Sequence, residues 1–267
     1  MERYQAVWLK AHGATEKPFA TDMERFLNKQ AESVVRAAQG LTQPLSDALQ
    51  VFDPMGWDDA LRKAARPHLL RGAGIGADLE LSRFDQQKDA DPNDILIRLP
   101  ERVLLGIEAA IDETLAESYW SDINERTRNR LNEAILESLR EGYDLREQVA
   151  AIRRFIGPDP NRTRGILIAR TESTGALNSG TYAVQEDLAS DGLIETRAWL
   201  STIDEHTRGM DADDRFSHVI MNGREAKIGE DFDISGEPGP YPGWHKLSAG
   251  NRAFCRCTTL SVIPETV

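Results

Sequence analysis

Between Pro18 and Gln39 the apolar residues Phe19, Met23, Phe26, Leu27, Ala31, Val34, Val35 and Ala38 recur at three- and four-residue steps. That spacing predicts an amphipathic helix opened by Pro18 and closed by Gly40. A second helix is predicted through Trp57, Leu61, Ala64 and Ala65, interrupted at Pro67 and leaving through a loop at Gly72-Ala73-Gly74-Ile75-Gly76. These glycines lack both the Lys-Ser/Thr of a phosphate-binding loop and a preceding strand, so a plain loop is expected. Residues 83–97 carry four Asp and few apolar anchors, which predicts an exposed linker. From Pro100 to Phe155 the helical period returns through Val103, Ile107, Ile111, Leu131, Ile135, Val149 and Ile152. Gly142 is expected to end one of these helices, and Asp144 with Glu147 three residues on reads as a capping box for the next. Beyond Pro158 and Pro160 a long helix is predicted over 163–190. Its Ala169, Ser173, Ala176, Ser179, Gly180 and Ala183 are small enough for another backbone to come close.

After Gly192 the pattern changes. Residues 195–203 and 254–263 alternate as strands do, with a short helix predicted around 211–219, a turn at Asn222-Gly223 and a Pro/Gly-rich loop over 235–250. The expected fold class is α+β and predominantly helical. Its expected divisions are an N-terminal helical lobe (1–97, with the linker at about 83–97), a helical bundle (98–192) and a small mixed α/β C-terminal lobe (193–267).

Composition narrows the function. The 267 residues hold 32 Lys plus Arg against 44 Asp plus Glu, a net charge of −12 that disfavours a protein coating nucleic acid. No run of about 18 apolar residues and no basic-then-apolar start is present, so no membrane span or secretory leader is expected. The two cysteines, Cys255 and Cys257, are too close in sequence for an unstrained bridge. Residues 191–237 hold five basic and twelve acidic groups, whereas 120–170 hold ten Arg and eight acids. Helical spacing does not put all of Arg126, Arg128, Arg130, Arg153, Arg154, Arg162, Arg164 and Arg170 on one face. They read as solvated surface, with weak DNA contact as the alternative.

Several residues invite a chemical reading. Arg170 and Glu172 are two apart on a helix, point to different faces, and are expected to meet separate partners as structural ion pairs. Cys255 and Cys257 on a strand would project both sulfurs to one face, where His218, His245 or His206 would complete a zinc site. The plainer reading is a pair of small buried thiols. Asp204, His218 and a nearby Ser satisfy the residue types of a hydrolase triad, but the better expectation pairs Asp204 with Arg208 and has His218 hydrogen-bond the backbone near Asn222-Gly223.

Taken in order, Glu141-Gly142-Tyr143-Asp144, Ile168-Ala169-Arg170-Thr171-Glu172-Ser173 with Asn178, Ala198-Trp199-Leu200, Asp204 to Arg208, His218 with Asn222-Gly223, Phe232, and Phe254-Cys255-Arg256-Cys257-Thr258 form a recognisable succession. It resembles the phage Mu F-like minor head protein family, the phage head morphogenesis domain, over residues 120–263. An acidic insertion, Met210 to Ser217, separates Asp204–Arg208 from His218, and Phe254 stands where the family usually has Asn. The resemblance implies a structural minor head (minor capsid) protein in the virion, at the capsid interior or portal vertex, with the host cytoplasm its place during assembly. Its implied partners are the phage portal protein and an inner capsid or scaffold protein. It implies structural motif residues Arg170, Glu172, Asn178, Trp199, Asp204, Arg208, His218, Gly223, Cys255 and Cys257, no catalytic residue, no enzyme activity and no cofactor; the upstream Cys-x-x-Cys pair of some relatives is absent around Thr207 and Arg208, and a zinc ion at Cys255, Cys257 and His218 stays the alternative read from the residues themselves. Some members are fused to catalytic toxin domains, ADP-ribosyl transfer among them, and this chain is expected to carry none. The alternatives are a metal-dependent hydrolase or nuclease centred on the C-terminal lobe, and a DNA-binding assembly factor.

Overall fold

A computed structural model describes residues 2–84, 99–203, 207, 209 and 214–263. Most of the expected linker at 83–97, together with Asp204, His206 and Arg208, lies outside the described residues. The helices are α1 (Glu2–Gln39), α2 (Pro54–Leu81), α3 (Glu101–Ala116), α4 (Tyr119–Arg140), α5 (Leu145–Ile156), α6 (Pro158–Ser190) and the single turn α7 (Ala249–Arg252). The strands are β1 (Thr196–Leu200), β2 (Glu225–Lys227), β3 (Phe232–Ile234), β4 (Glu237–Gly239) and β5 (Thr258–Ser261). The α+β class with a dominant helical part is therefore the observed one.

Two of the long helices exceed their expected limits for physical reasons. α1 continues upstream of Pro18, and its buried face there is Trp8, His12 and Thr15. Two of those three are polar, so hydrophobic spacing does not reveal the extension. α2 runs unbroken through Pro67 and the glycines expected to form a loop. Gly76 stands inside the helix because the backbone of α6 leaves no room for a side chain: a Cβ there would sit 1.9 Å from the Leu177 carbonyl oxygen. The reciprocal contact is at Gly180, whose Cβ would lie 1.7 Å from the Ala73 carbonyl oxygen. Glycine is used at both positions for proximity rather than flexibility.

The chain forms two compact units, each assembled from separated segments. Unit 1 comprises Met1–Glu16, Pro67–Thr114 and Arg170–Val267, and unit 2 comprises Lys17–Arg66 and Leu115–Ala169. The core of unit 2 gathers Val34, Ala38, Leu45, Phe52, Leu131, Ile135 and Ile152. Its turn between α4 and α5 has Gly142 at φ 67°, and Asp144 and Glu147 exchange the two hydrogen bonds of a capping box, each 2.9 Å. In unit 1, β1 is the central strand of an antiparallel sheet ordered β2-β1-β5, while β3 and β4 make a separate hairpin. Trp199, Met221, Phe232, Ile234, Leu247, Cys255 and Cys257 form the core of this small lobe. The strands are shorter than the alternation predicts, and the expected loop at 235–250 contains β4 and the start of α7.

Candidate functional site

The small lobe of unit 1 brings His218, Cys255 and Cys257 together. All three are buried, at 1%, 3% and 2% exposure, so the cluster is closed to bulk water. His218 Nδ1 lies 3.3 Å from Cys255 Sγ and 3.7 Å from Cys257 Sγ. His218 precedes the short 3₁₀ turn Val219–Met221, and its backbone oxygen accepts hydrogen bonds from Ser201 Oγ and Met221 N–H. On its other side Nε2 is 3.2 Å from Asn251 Oδ1. Asn251 Nδ2 donates to the Ile234 carbonyl, which identifies Oδ1 as the acceptor and His218 Nε2 as the protonated nitrogen. Nδ1 then presents its lone pair to the sulfurs. The ring therefore does not bond backbone near Asn222-Gly223 as expected, because Asn251 and the thiols claim both of its nitrogens.

The two cysteines are not on a strand. β5 begins at Thr258, and Phe254, at φ 59°, reorients the chain just ahead of Cys255. Convergence of the sulfurs comes from tethered backbone instead. Thr174 Oγ1 donates to the Cys255 carbonyl, Trp8 Nε1 to the Arg256 carbonyl at 2.8 Å, and Asn178 Nδ2 to the Cys257 carbonyl at 2.9 Å. Three successive carbonyls are thus held by side chains of α1 and α6. The Cys257 N–H points at Cys255 Sγ, 3.4 Å away. A hydrogen bond from Cys255 and the proximity of His218 lower the Cys257 thiol pKa well below its ordinary value, against the opposing effect of burial.

Other motif residues that the structure describes lie in the same unit. Trp199 packs edge-on against His218 and Phe232, with ring centroids 5.5 and 5.4 Å apart. Gly223, at φ 79°, lets its N–H reach the Trp199 carbonyl at 2.8 Å. Glu172 binds Arg252 through both carboxylate oxygens, at 2.8 and 2.9 Å. Arg170 instead meets Glu16, 3.0 Å away, and stacks over Phe254 at 5.6 Å. His245 lies elsewhere, beside Glu113 and Thr114. Sequence reasoning missed Arg197, which is fully buried between the rings of Tyr182 and Phe232 and donates to the Lys227, Glu230 and Pro240 carbonyls. Its place in alternating β1, on the same face as Trp199, was the available signal.

Glu16 gives this unit an acid-sensitive link. Burial raises its pKa, but hydrogen bonds from His12 and Arg170 outweigh that and hold it at about 2, below its ordinary 4.5. A depressed folded-state value contributes stability above about pH 4.5 that is lost as pH falls toward 2. Glu16→Gln is expected to remove about 2 kcal/mol at neutral pH and to flatten the acid limb of a stability-versus-pH curve measured by urea unfolding. An acid limb as steep as that of the parent chain would refute the assignment.

In unit 2, a cavity of about 420 Å³ lies between α4 and the first half of α6, lined by Arg126, Arg130, Arg164, Asn129 and Glu133 among others. Arg126 and Arg130, four residues apart, share one face of α4, and the packing of α6 beside it adds Arg164. Arg164 Nη2 donates to the Ile123 carbonyl and Thr127 Oγ1, both at 3.0 Å, while its buried Nη1 has no hydrogen-bond partner among the described residues. Burial, then the positive charges of Arg130 and Arg126, lower its pKa to about 10.

No known protein-family profile matches the chain, and no solved structure matches it. It is 28% identical over 138 residues to an NAD(+)–arginine ADP-ribosyltransferase, EFV, of Enterococcus faecalis (strain ATCC 700802 / V583). The match covers 51% of this chain and 27% of that protein. This finding overturns the expectation of a structural minor head protein and, with it, the expectation that the chain serves no enzyme activity: the similar protein is named as an enzyme. It gives no support to the hydrolase, nuclease or DNA-binding alternatives either. Among the described residues, no helix is long and apolar enough to cross a membrane.

Proposed function

We propose that this chain takes part in NAD+-dependent ADP-ribosylation of an arginine-bearing acceptor, as a helical portion of a transferase. The observation that carries this reading is the 138-residue similarity to the E. faecalis arginine ADP-ribosyltransferase, of which it spans 27%. The reaction breaks the bond between the nicotinamide nitrogen and ribose C1′. Nicotinamide leaves with the bonding electron pair, a guanidinium nitrogen of the acceptor bonds to C1′, and a proton is released.

Two physical features support the proposal without assigning any residue to the reacting bond. The net charge of −12 attracts a cationic, arginine-rich acceptor and raises its encounter rate at low salt. The Arg126–Arg130–Arg164 cavity concentrates guanidinium groups of the kind that bind a dinucleotide's diphosphate, and Arg164 Nη1 has no hydrogen-bond partner among the described residues.

Nicotinamide release from NAD+ by the purified chain, with and without the arginine analogue agmatine, tests the reading. Release that rises with agmatine and falls in an Arg164→Gln variant supports it. Absence of release, combined with absence of NAD+ binding by calorimetry, overturns it.

A further inference from the structure

We infer that His218, Cys255 and Cys257 bind one zinc ion, or another thiophilic divalent cation of the same size, as a structural centre of the small lobe. The inference stands on geometry and is independent of the ADP-ribosylation reading.

The spacing of the three ligand atoms is that of a tetrahedral site. Zinc–sulfur and zinc–nitrogen bonds of about 2.3 and 2.0 Å at tetrahedral angles place sulfur and nitrogen about 3.5 Å apart. The two nitrogen–sulfur separations are 3.3 and 3.7 Å, and the three ligand atoms all lie within 4.8 Å of one another. Two sulfurs and one imidazole nitrogen suit zinc or cobalt rather than magnesium or calcium, which prefer oxygen.

The surroundings hold each ligand in its binding form. Asn251 accepts the Nε2 proton of His218, which leaves Nδ1 free to coordinate, and Asn251 is itself fixed by its bond to Ile234. The Cys257 N–H directed at Cys255 Sγ is the contact that stabilises a thiolate. The carbonyls of residues 255–257 are tied to Thr174, Trp8 and Asn178, so both thiols are positioned before any ion arrives. Three ligands among the described residues leave a fourth coordination position for water or another donor. Binding releases the thiol protons and links metal affinity to folding.

The test uses the full chain expressed with added zinc. Elemental analysis after gel filtration is expected to give about one zinc per chain. Replacement by cobalt should produce the visible d–d bands of a tetrahedral site together with a near-ultraviolet thiolate-to-cobalt band. Cys255→Ser and Cys257→Ser should each weaken that near-ultraviolet band, and His218→Ala should shift the visible bands. Should a variant fail to fold, the parent chain still decides: a strong chelator should lower its melting temperature and make both thiols reactive to a maleimide under native conditions. Metal content below about a tenth of an equivalent, with no cobalt spectrum and no chelator effect, overturns the inference.

Discussion

A Gly180→Ala chain is expected to lose at least about 3 kcal/mol of stability, the largest effect of any single methyl addition to the helical part of unit 1. The added Cβ would stand 1.7 Å from the Ala73 carbonyl oxygen, 2.5 Å from its carbon and 2.8 Å from its Cα. All three are backbone atoms of α2, so no side-chain rotation relieves the clash. α2 and α6 would have to separate. That movement would also open the reciprocal contact at Gly76 and break the hydrogen bond from Thr181 Oγ1 to the Gly76 carbonyl, now 3.2 Å. Gly106→Ala is the matched control. Its Cβ would meet only the Ala183 Cβ at 3.5 Å, an ordinary contact, so better helix propensity should leave it neutral or up to about 1 kcal/mol more stable. Urea midpoints followed by circular dichroism compare the two. Equal midpoints would show that glycine is present at Gly180 for a reason other than proximity.

Removing one member of the Glu172–Arg252 pair should have the next largest effect. Glu172 and Arg252 are 4% and 6% exposed, and one guanidinium nitrogen, Nη2, reaches both carboxylate oxygens. Glu172→Ala or Arg252→Ala strands a charge in low dielectric and is expected to cost about 3–5 kcal/mol. The double change Glu172→Leu with Arg252→Met removes both charges at similar volume and should recover most of that loss. A double variant as unstable as the sum of the single ones would mean that the two residues act independently, contrary to the geometry. The pair connects α6 to α7, which ends three residues before Cys255, so loss of stability should be accompanied by increased thiol reactivity.

Local rules account for much of this architecture and long-range pairing for the remainder. The helices between 101 and 156 follow from the spacing of Val103, Ile107, Leu131 and Ile152, and the α4–α5 turn follows from Gly142 and the Asp144–Glu147 box, because each device acts within a few residues. The first half of α1 was hidden because His12 and Thr15 occupy its buried face, where His12 bonds Thr174 Oγ1 at 2.8 Å. α2 was cut short at Gly72–Gly76 because the tolerance of glycine there depends on a neighbour about a hundred residues away in sequence. In the site, the Cys-x-Cys pair and His218 were readable as metal-type residues. Asn251, which sets the imidazole tautomer, and Trp8, which fixes the Arg256 carbonyl, carry no local signal. The same holds for Arg252 as the partner of Glu172, and for Glu80, a fully buried carboxylate that accepts from the Ser261 N–H at 2.8 Å and from Arg83.

The functional account is tested most directly by the mass spectrum of agmatine after incubation with NAD+ and the purified chain. Agmatine carrying one ADP-ribose, formed in step with free nicotinamide, is the predicted result. Unmodified agmatine beside intact NAD+, from protein whose circular dichroism shows it folded, would contradict it.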